Sequence, residues 1–216
     1  MYYIKKLINL LSKYPKYLSL IIKILFTNKV DSVSYLHNEV NKYNYEKIEG
    51  FLINKQIDVI EEYFKDKINI LEIGFNLGHT TEAFIEKSNA SVVSVDIFRH
   101  AYSWIARIYF TKNFKKRIQF YRGDSKVVLE KLTLQEKKYD LILIDGGHTY
   151  DVAKSDVENS IKLLNKNGIL IIDNLEMKSV YEAVNEFVHA NKIELISKKL
   201  FKRQIGKSDI GIYQKS

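Results

Sequence analysis

Runs of apolar residues alternate with amphipathic stretches from about residue 49 to the end of the chain. Five of these runs, rich in Val, Ile and Leu, lack the alternating polar positions of a half-buried strand, which is typical of parallel strands covered by helices on both faces. They are residues 68–73, 91–96, 118–122, 140–145 and 168–173. Helical spacing of apolar residues occurs near residues 57–64, 80–86, 100–110, 126–134, 151–164 and 179–190. The pattern therefore predicts an α/β fold with a doubly wound, mostly parallel sheet.

The end of the chain follows a different pattern. Residues 194–200 and 209–213 are two strand-like runs with no helical segment between them, joined by a loop that contains Gly206. Two strands connected in this way are expected to pair antiparallel. They complete a predicted sheet of seven strands.

The first 48 residues are predicted to form a helical extension to a domain that spans residues 49–216. Residues 4–14 have an amphipathic helical pattern, Pro15 predicts a kink, and residues 17–26 form a more apolar helical stretch. That stretch is too short to span a bilayer, and no cleavage site of a signal peptide follows it. Two roles remain open: a cap that packs on the domain or on a second copy of the chain, and a basic amphipathic helix that contacts an anionic membrane.

Charge and composition narrow the function. The net charge is +8, but residues 1–30 carry six lysines and no acid, so the rest of the chain has a net charge of only +2. That domain lacks the excess of positive charge expected around the site of a nucleic-acid enzyme, so a nucleic-acid partner is not indicated. The absence of cysteine excludes disulfides, zinc–thiolate sites, iron–sulfur clusters and a cysteine nucleophile, and is compatible with the cytoplasmic location that we expect.

Polar residues follow the predicted carboxyl ends of the five parallel strands, where open α/β sheets bind ligands. The first loop contains Glu72, Gly74, Asn76 and Gly78. Gly74 is predicted to turn the backbone off the strand, and Gly78 to let the next helix begin close to a ligand. A dinucleotide-binding loop would have a further glycine where Asn76 stands, so the loop is less suited to a pyrophosphate.

The next two strand ends favour an adenosine. Asp96 follows Gly74 by 22 residues, a position from which an acid accepts hydrogen bonds from both ribose hydroxyls. Asp124 or Ser125, at the end of the third strand, is placed to meet the adenine amine. An adenosine-bearing cofactor without a pyrophosphate, such as S-adenosylmethionine, fits this combination.

Residues 71–81, together with Asp96 and Asp124, resemble the cofactor-binding signature of class I S-adenosylmethionine-dependent methyltransferases. The resemblance implies a Rossmann-like sheet that ends in an antiparallel pair. It also implies that Glu72, Gly74 and Gly78 surround the methionine part of the cofactor, Asp96 binds the ribose, and Asp124 with Ser125 binds the adenine. A domain that has lost its ligand, or one that binds NAD, is the alternative.

The fourth and fifth strand ends predict a metal site. Asp145, Asp173 and Asn174 offer three oxygen ligands from strands expected to be neighbours, which suits a hard cation such as Mg²⁺. His148, on the same loop as Asp145, is placed to remove a proton from a hydroxyl held there. For each of these residues an ordinary role in a turn or a loop is the alternative.

Asp145, Asp173 and Asn174 also resemble the metal ligands of the catechol O-methyltransferase-like branch. Catechol-type enzymes have a lysine base at the position of His148, whereas a histidine there resembles the sugar-hydroxyl methyltransferases of antibiotic pathways. Residues 145–151 also resemble a broad bacterial and viral methyltransferase family. We therefore predict a metal-dependent O-methyltransferase that acts on a small hydroxylated molecule, with sugars among the candidates.

Two other functions remain open. An enzyme that methylates an RNA ribose 2′-hydroxyl is compatible with the motifs. One that methylates a base amine is excluded because its motif requires prolines and Pro15 is the only proline. A non-catalytic cofactor-binding module docked to a membrane or a partner is the second alternative. The remaining histidines and Trp104 are interpreted as structural; these histidines are His37, His79, His100 and His189.

Overall fold

The computed structural model describes residue 12 and residues 15–43, 47–48, 50, 52–202 and 207–216. Seven strands form one sheet in the order β3-β2-β1-β4-β5-β7-β6. The strands are β1 Asn69–Ile73, β2 Ser91–Asp96, β3 Ile118–Arg122, β4 Tyr139–Ile144, β5 Leu164–Ile172, β6 Ile193–Lys202 and β7 Lys207–Lys215. Strands β1 to β5 pair in parallel, and β7 runs antiparallel to both β5 and β6. The predicted fold class is confirmed.

Helices cover both faces of the sheet. They are α1 Lys16–Phe26, α2 Val33–Tyr43, α3 Asn54–Phe64, α4 His79–Lys87, α5 Ala101–Phe114, α6 Ser125–Leu134, α7 Tyr150–Leu163 and α8 Lys178–His189. Helices α1 to α5 share one hydrophobic core, and α6 to α8 share a second core on the opposite face. Successive residues of β1 alternate between the two, with Ile70 in the first and Leu71 in the second, as the pleat of a strand requires.

The described part of the N-terminal extension packs against the sheet domain. Helix α1 agrees with its prediction, and it buries Tyr17, Leu20 and Ile24 in the first core. The Lys112 side chain of α5 donates hydrogen bonds to the carbonyl oxygens of Ile24 and Thr27, at 2.5 and 2.9 Å. The helix predicted within residues 4–14 lies outside the described residues, apart from residue 12. Within the described ranges, no helix combines the length and apolar character needed to cross a membrane.

Two elements differ from the sequence prediction. No separate bounds were predicted for α2 within the helical extension, because Val33, Leu36 and Val40 recur among mostly polar neighbours. Strand β5 begins at Leu164, four residues earlier than expected, because Leu164 pairs with Tyr139 before the register between β4 and β5 shifts.

Candidate active site

A cavity of about 410 Å³ lies at the carboxyl ends of the parallel strands. Nine of the eleven predicted site residues line it, which confirms that the loops after β1 to β5 converge on one place. They are Gly74, Asn76, Asp96, Asp124, Ser125, Asp145, His148, Asp173 and Asn174. The two residues that do not line the cavity are Glu72 and Gly78.

The loop after β1 packs directly on the loop after β4. Gly74 has a φ of +99°, and a Cβ atom at this position would lie 2.0 Å from the carbonyl oxygen of Asp145. The amide of Asp145 donates to the carbonyl oxygen of Ile73 at 2.8 Å. Only glycine allows both this conformation and this approach. Gly74 therefore lets the loop after β1, which we call the cofactor loop, contact the first predicted metal ligand, Asp145.

Gly78 lies at the start of α4, and its predicted role beside a ligand stays a prediction. It precedes α4 in the left-handed conformation, with a φ of +91°. A Cβ atom there would lie 2.4 Å from the Phe110 ring and 2.8 Å from the Phe75 ring. The left-handed conformation and the close packing of two aromatic rings therefore both require glycine at this position.

Asp96 holds the cofactor loop in place. Its Oδ2 accepts hydrogen bonds from the amides of Phe75 and Asn76, at 2.9 and 3.1 Å, and its Oδ1 accepts one from the amide of Phe98 at 2.5 Å. A carboxylate accepts about four hydrogen bonds, so roughly one remains for a ligand. In this arrangement Asp96 organises the loop and retains capacity for one ribose hydroxyl rather than two.

Asn76 offers an acceptor to the cavity wall. Its φ is +53°, and its Nδ2 donates to the carbonyl oxygen of Gly50 at 2.7 Å. Its Oδ1 is buried and has no hydrogen-bond partner among the residues that the structure describes. Since buried polar atoms are normally paired, this oxygen is suited to accept a hydrogen bond from a bound ligand.

Glu72 lies in the first core behind the cavity. Its Oε2 accepts hydrogen bonds from the hydroxyls of Thr81 and, at 2.7 Å, of Ser94. Burial raises the pKa of Glu72 to about 8, so the side chain is mostly neutral at pH 7. Glu72 connects β1, β2 and α4, and any effect on a cofactor is transmitted through these elements.

The predicted adenine end contains a residue that the sequence analysis missed. Asp124 precedes α6 and accepts a hydrogen bond from the amide of Lys126 at 3.0 Å. Asp156 of α7 is fully buried nearby, and its pKa is raised to about 7 by burial, with the charge of Asp124 acting in the same direction and Ser125 opposing it. The available signal was its position on the apolar face of α7, three residues after Ala153.

The predicted metal ligands line the same cavity as the cofactor loop. Asn174 has a φ of +62°, and its Nδ2 donates to Glu176 at 3.2 Å, which leaves its Oδ1 as the donor atom for a cation. Oδ1 of Asp173 accepts a hydrogen bond from Ser208 at 2.8 Å. No group of three His, Cys, Asp or Glu side chains suited to a metal occurs in the described part of the chain. The predicted set contains two carboxylates and an amide.

His148 is exposed on the loop between β4 and α7. Its carbonyl oxygen accepts a hydrogen bond from the hydroxyl of Ser179 at 2.6 Å. Ser179 belongs to the first turn of α8, so the loop that carries His148 is tied to a neighbouring helix. This contact restrains the backbone of His148, a residue that lines the cavity.

Of the residues interpreted as structural, His100 lines the cavity, whereas His37, His79 and Trp104 are not in its lining. His37 and His79 form a hydrogen-bonded pair at 3.1 Å, and burial lowers the pKa of His79 to about 4. Trp104 packs on Phe98 and donates to its carbonyl oxygen at 3.0 Å. His100, in contrast, lines the cavity while its ring stacks on Tyr102, with 4.9 Å between centroids.

Comparison with known proteins agrees with this geometry. Residues 71–175, just under half of the chain, match the family described as a methyltransferase domain. An O-methyltransferase from Bacillus cereus in complex with SAH is 15% identical, with a TM-score of 0.69, over 90% of this chain and 95% of that one. The O-methyltransferase TomG from Streptomyces achromogenes, involved in tomaymycin synthesis and solved with SAM, is 12% identical over 91% and 95%, with a TM-score of 0.69.

A third similar structure, cofactor-bound Rv0187 from MTB, is 12% identical over 93% of this chain and 96% of that chain, with a TM-score of 0.71. A search of curated proteins gives no match. Likeness at 12–15% identity establishes the fold, and the family match adds the methyltransferase domain. The predicted resemblance to class I S-adenosylmethionine-dependent methyltransferases is therefore confirmed for the fold, and residues 71–175 match a methyltransferase domain.

Proposed function

We propose that this protein transfers the methyl group of S-adenosylmethionine to a hydroxyl of a small molecule, with sugars among the candidate acceptors. The observation that carries the proposal is that Asp145, Asp173 and His148 line the same cavity as the loop organised by Asp96. Groups that suit the activation of a hydroxyl thus lie beside groups that suit the methyl donor.

The chemistry of the cavity suits S-adenosylmethionine. The ammonium and sulfonium groups of this cofactor are cationic and its carboxylate is anionic, and the cavity lining includes Asp96 and Asp124 as well as Arg99. The buried Oδ1 of Asn76 lacks a partner among the described residues and would accept a hydrogen bond from the ammonium group. A volume of about 410 Å³ lies within the usual range for ligand pockets.

The donor set also suits a divalent cation such as Mg²⁺. Asp145, Asp173 and Asn174 would hold it through two carboxylates and one amide oxygen, the hard ligands that this ion prefers. When bound, such a cation lowers the pKa of a hydroxyl that it contacts and fixes the position of that hydroxyl.

The chain's own residues perform the remaining steps. A ring nitrogen of His148 accepts the proton of the acceptor hydroxyl. The acceptor oxygen then forms a bond to the methyl carbon as the bond from that carbon to sulfur breaks, which yields the methyl ether and S-adenosylhomocysteine. The contact between Gly74 and Asp145 aligns the two halves of the cavity for this in-line displacement.

The test compares binding with turnover in the purified full chain. Calorimetry with S-adenosylmethionine is expected to give micromolar affinity, retained within a few-fold in Asp145→Ala. Methyl transfer to a panel of sugars and catechols is expected to require Mg²⁺ and to fall by about 100-fold or more in Asp145→Ala and in His148→Ala. The exposed Asp151→Asn serves as a control with unchanged transfer. Full activity in excess chelator would remove the metal from the mechanism.

The two alternative functions give different results in the same assay. Efficient transfer to an RNA oligonucleotide but to no small acceptor would favour ribose methylation. Tight cofactor binding without transfer to any hydroxyl acceptor would favour a non-catalytic module. A cytoplasmic location remains a prediction.

Helix α1 exposes apolar residues that are not part of the cavity lining. Its outer face exposes four apolar residues at helical spacing: Leu18, Ile22, Leu25 and Phe26 are 45%, 47%, 44% and 79% exposed. The only charged residues in the first 30 are six lysines. We propose that this face contacts an anionic membrane surface, because apolar residues within a purely cationic segment suit such a surface, whereas two copies would repel each other.

Co-sedimentation of the full chain with vesicles tests this contact. Binding is expected to vesicles that contain phosphatidylglycerol, to be absent with phosphatidylcholine alone and to weaken with salt. The double variant Ile22→Ser/Phe26→Ser is expected to weaken binding by about 10-fold, and the exposed Leu134→Ser of α6 to leave it unchanged. A stable dimer that the double variant dissociates, without vesicle binding, would assign the surface to a second copy.

A further inference from the structure

A buried chain of hydrogen bonds joins Asp173 to two distant elements. Ser208 of β7 donates to Oδ1 of Asp173 at 2.8 Å, and Nε2 of Gln56 in α3 donates to the hydroxyl oxygen of Ser208 at 3.1 Å. The same Nε2 lies 3.5 Å from Oδ1 of Asp173. Gln56 and Ser208 are fully buried, and Asp173 is 3% exposed.

The direction of each hydrogen bond follows from chemistry. The amide of Ile53 donates to Oε1 of Gln56 at 3.0 Å, so the NH₂ group of Gln56 faces Ser208. Because that group can only donate, the Ser208 oxygen accepts from it, and the single hydroxyl proton of Ser208 is directed to Asp173. Backbone, amide, hydroxyl and carboxylate therefore form a continuous relay of hydrogen bonds among the described residues.

The relay acts on the carboxylate that is the proposed metal ligand. Both donors meet Oδ1, which restrains rotation of the carboxylate group. The donors lie 117 and 35 residues away in sequence, and both lie outside the matched methyltransferase region, residues 71–175. The segment of the chain that supplies this metal ligand therefore differs from the two segments that orient it.

We propose that Gln56 and Ser208 are positioning residues that hold Asp173 in the orientation needed to bind a divalent cation. The proposal rests on the proposed metal-assisted function. Partners that orient a metal ligand commonly change metal affinity by about 10–100-fold when removed. Gln56 and Ser208 make no contact with Asp96 or Asn76 among the described hydrogen bonds, so cofactor affinity should not depend on them.

The experiment measures binding of Mn²⁺ alone by electron paramagnetic resonance, and binding of S-adenosylmethionine by calorimetry. Ser208→Ala and Gln56→Met are each expected to weaken Mn²⁺ binding by about 10–100-fold and to leave cofactor affinity within about two-fold. Because Gln56 acts largely through Ser208, the double variant Gln56→Met/Ser208→Ala should bind Mn²⁺ only slightly more weakly than Ser208→Ala does.

A matched control separates positioning from general stability. Ser94 is also fully buried and donates to a carboxylate, Glu72, at 2.7 Å, but lies away from Asp173. Ser94→Ala is expected to lower the melting temperature as Ser208→Ala does while leaving Mn²⁺ affinity unchanged. If Gln56→Met fails to fold, Ser208→Ala, the smaller change, still decides the outcome.

Each outcome is informative. If the wild-type chain binds no Mn²⁺, the metal part of the proposed function fails, and this inference fails with it. If wild-type binds Mn²⁺ and Asp173→Ala does not, unchanged affinity in Ser208→Ala and Gln56→Met would overturn the inference alone. Equal losses of Mn²⁺ and cofactor binding in these variants would also overturn it, because they would indicate a structural role.

Discussion

The two halves of the cavity are built in different ways. The cofactor half is organised by backbone groups: the amides of Phe75, Asn76 and Phe98 donate to Asp96, and Gly74 allows the loop after β1 to touch the loop after β4. In the acceptor half, Asp173 is oriented by side chains from α3 and β7, far away in sequence. The contacts of the cofactor half are therefore made mainly by motif residues and backbone, whereas those that orient Asp173 require side chains outside residues 71–175.

The largest effect is expected from a substitution that disrupts the contact between Gly74 and Asp145, which joins the two halves of the cavity. Gly74→Ala would place a Cβ atom 2.0 Å from the Asp145 carbonyl oxygen, at a φ of +99°. We expect a loss of more than about 3 kcal/mol in the free energy of unfolding and at least a 100-fold loss of cofactor affinity. Chemical denaturation and calorimetry measure the two effects.

Gly146→Ala is the matched control for this substitution. Its Cβ atom would lie 3.3 Å from the Ile73 side chain, which can adjust. We expect a loss below about 1 kcal/mol. Equal losses of stability and cofactor affinity in Gly74→Ala and Gly146→Ala would contradict the prediction that the contact between Gly74 and Asp145 requires glycine.

Asp96→Asn tests the cofactor half by itself. The substitution removes the charge and one acceptor oxygen from a group that binds three amides. We expect cofactor affinity to fall by about 10–100-fold, measured by calorimetry. Asp140→Asn is the control, because Asp140 accepts hydrogen bonds from the amides of Ile68 and Asn69 at the opposite end of the sheet. It should lower stability but leave cofactor affinity unchanged.

Glu72→Gln tests whether the core behind the cofactor loop holds a neutral acid. Burial raises the pKa of Glu72 to about 8. The contribution of this group to the free energy of unfolding should therefore be greatest below about pH 4.5 and should decline as the pH rises to about 8. Burial raises the pKa values of Glu82 and Asp156 to about 7, and they act in the same direction.

The Gln variant should reduce this decline by an amount on the order of 3 kcal/mol, measured by denaturation between pH 5 and 8. The exposed Glu130→Gln should leave the slope unchanged. A parallel decline in wild type and Glu72→Gln would show that Glu72 is ionised in the folded protein.

The smallest effect concerns the loop that carries His148. Ser179→Ala removes the hydroxyl that binds the His148 carbonyl oxygen at 2.6 Å. We expect kcat to fall by about three- to ten-fold with cofactor affinity unchanged, and Ser179→Thr to restore most of the rate. No difference between Ala and Thr would exclude this hydrogen bond from positioning the loop.

Local patterns were sufficient for most of the fold because buried strands and amphipathic helices are specified by nearby residues. The predicted bounds of β2 and β3 coincide with those in the structure. Helix α2 was given no separate bounds because its recurring apolar residues do not stand out from mostly polar neighbours. The segment is helical because Val33, Leu36 and Val40 complete a core that only the tertiary fold creates.

The candidate site, like the fold, was predictable where local patterns determine it and not where tertiary contacts do. Residues at strand ends could be predicted because parallel strands end at one edge, and nine of the eleven line the cavity. The relay through Gln56 and Ser208 was not predicted, since no sequence spacing relates them to Asp173. The one available signal was that Gln56, a polar residue, lies four residues before Ile60 on the buried face of α3.

The shared core on the α1-to-α5 face has a practical consequence for recombinant fragments. A fragment limited to residues 71–175 would lack β6, β7 and α3, and with them the neighbours of β5 and Asp173. It would also uncover the ring of Phe84, which packs on Phe64 of α3. The stretch that defines the family is thus shorter than the smallest piece expected to remain folded in a test tube.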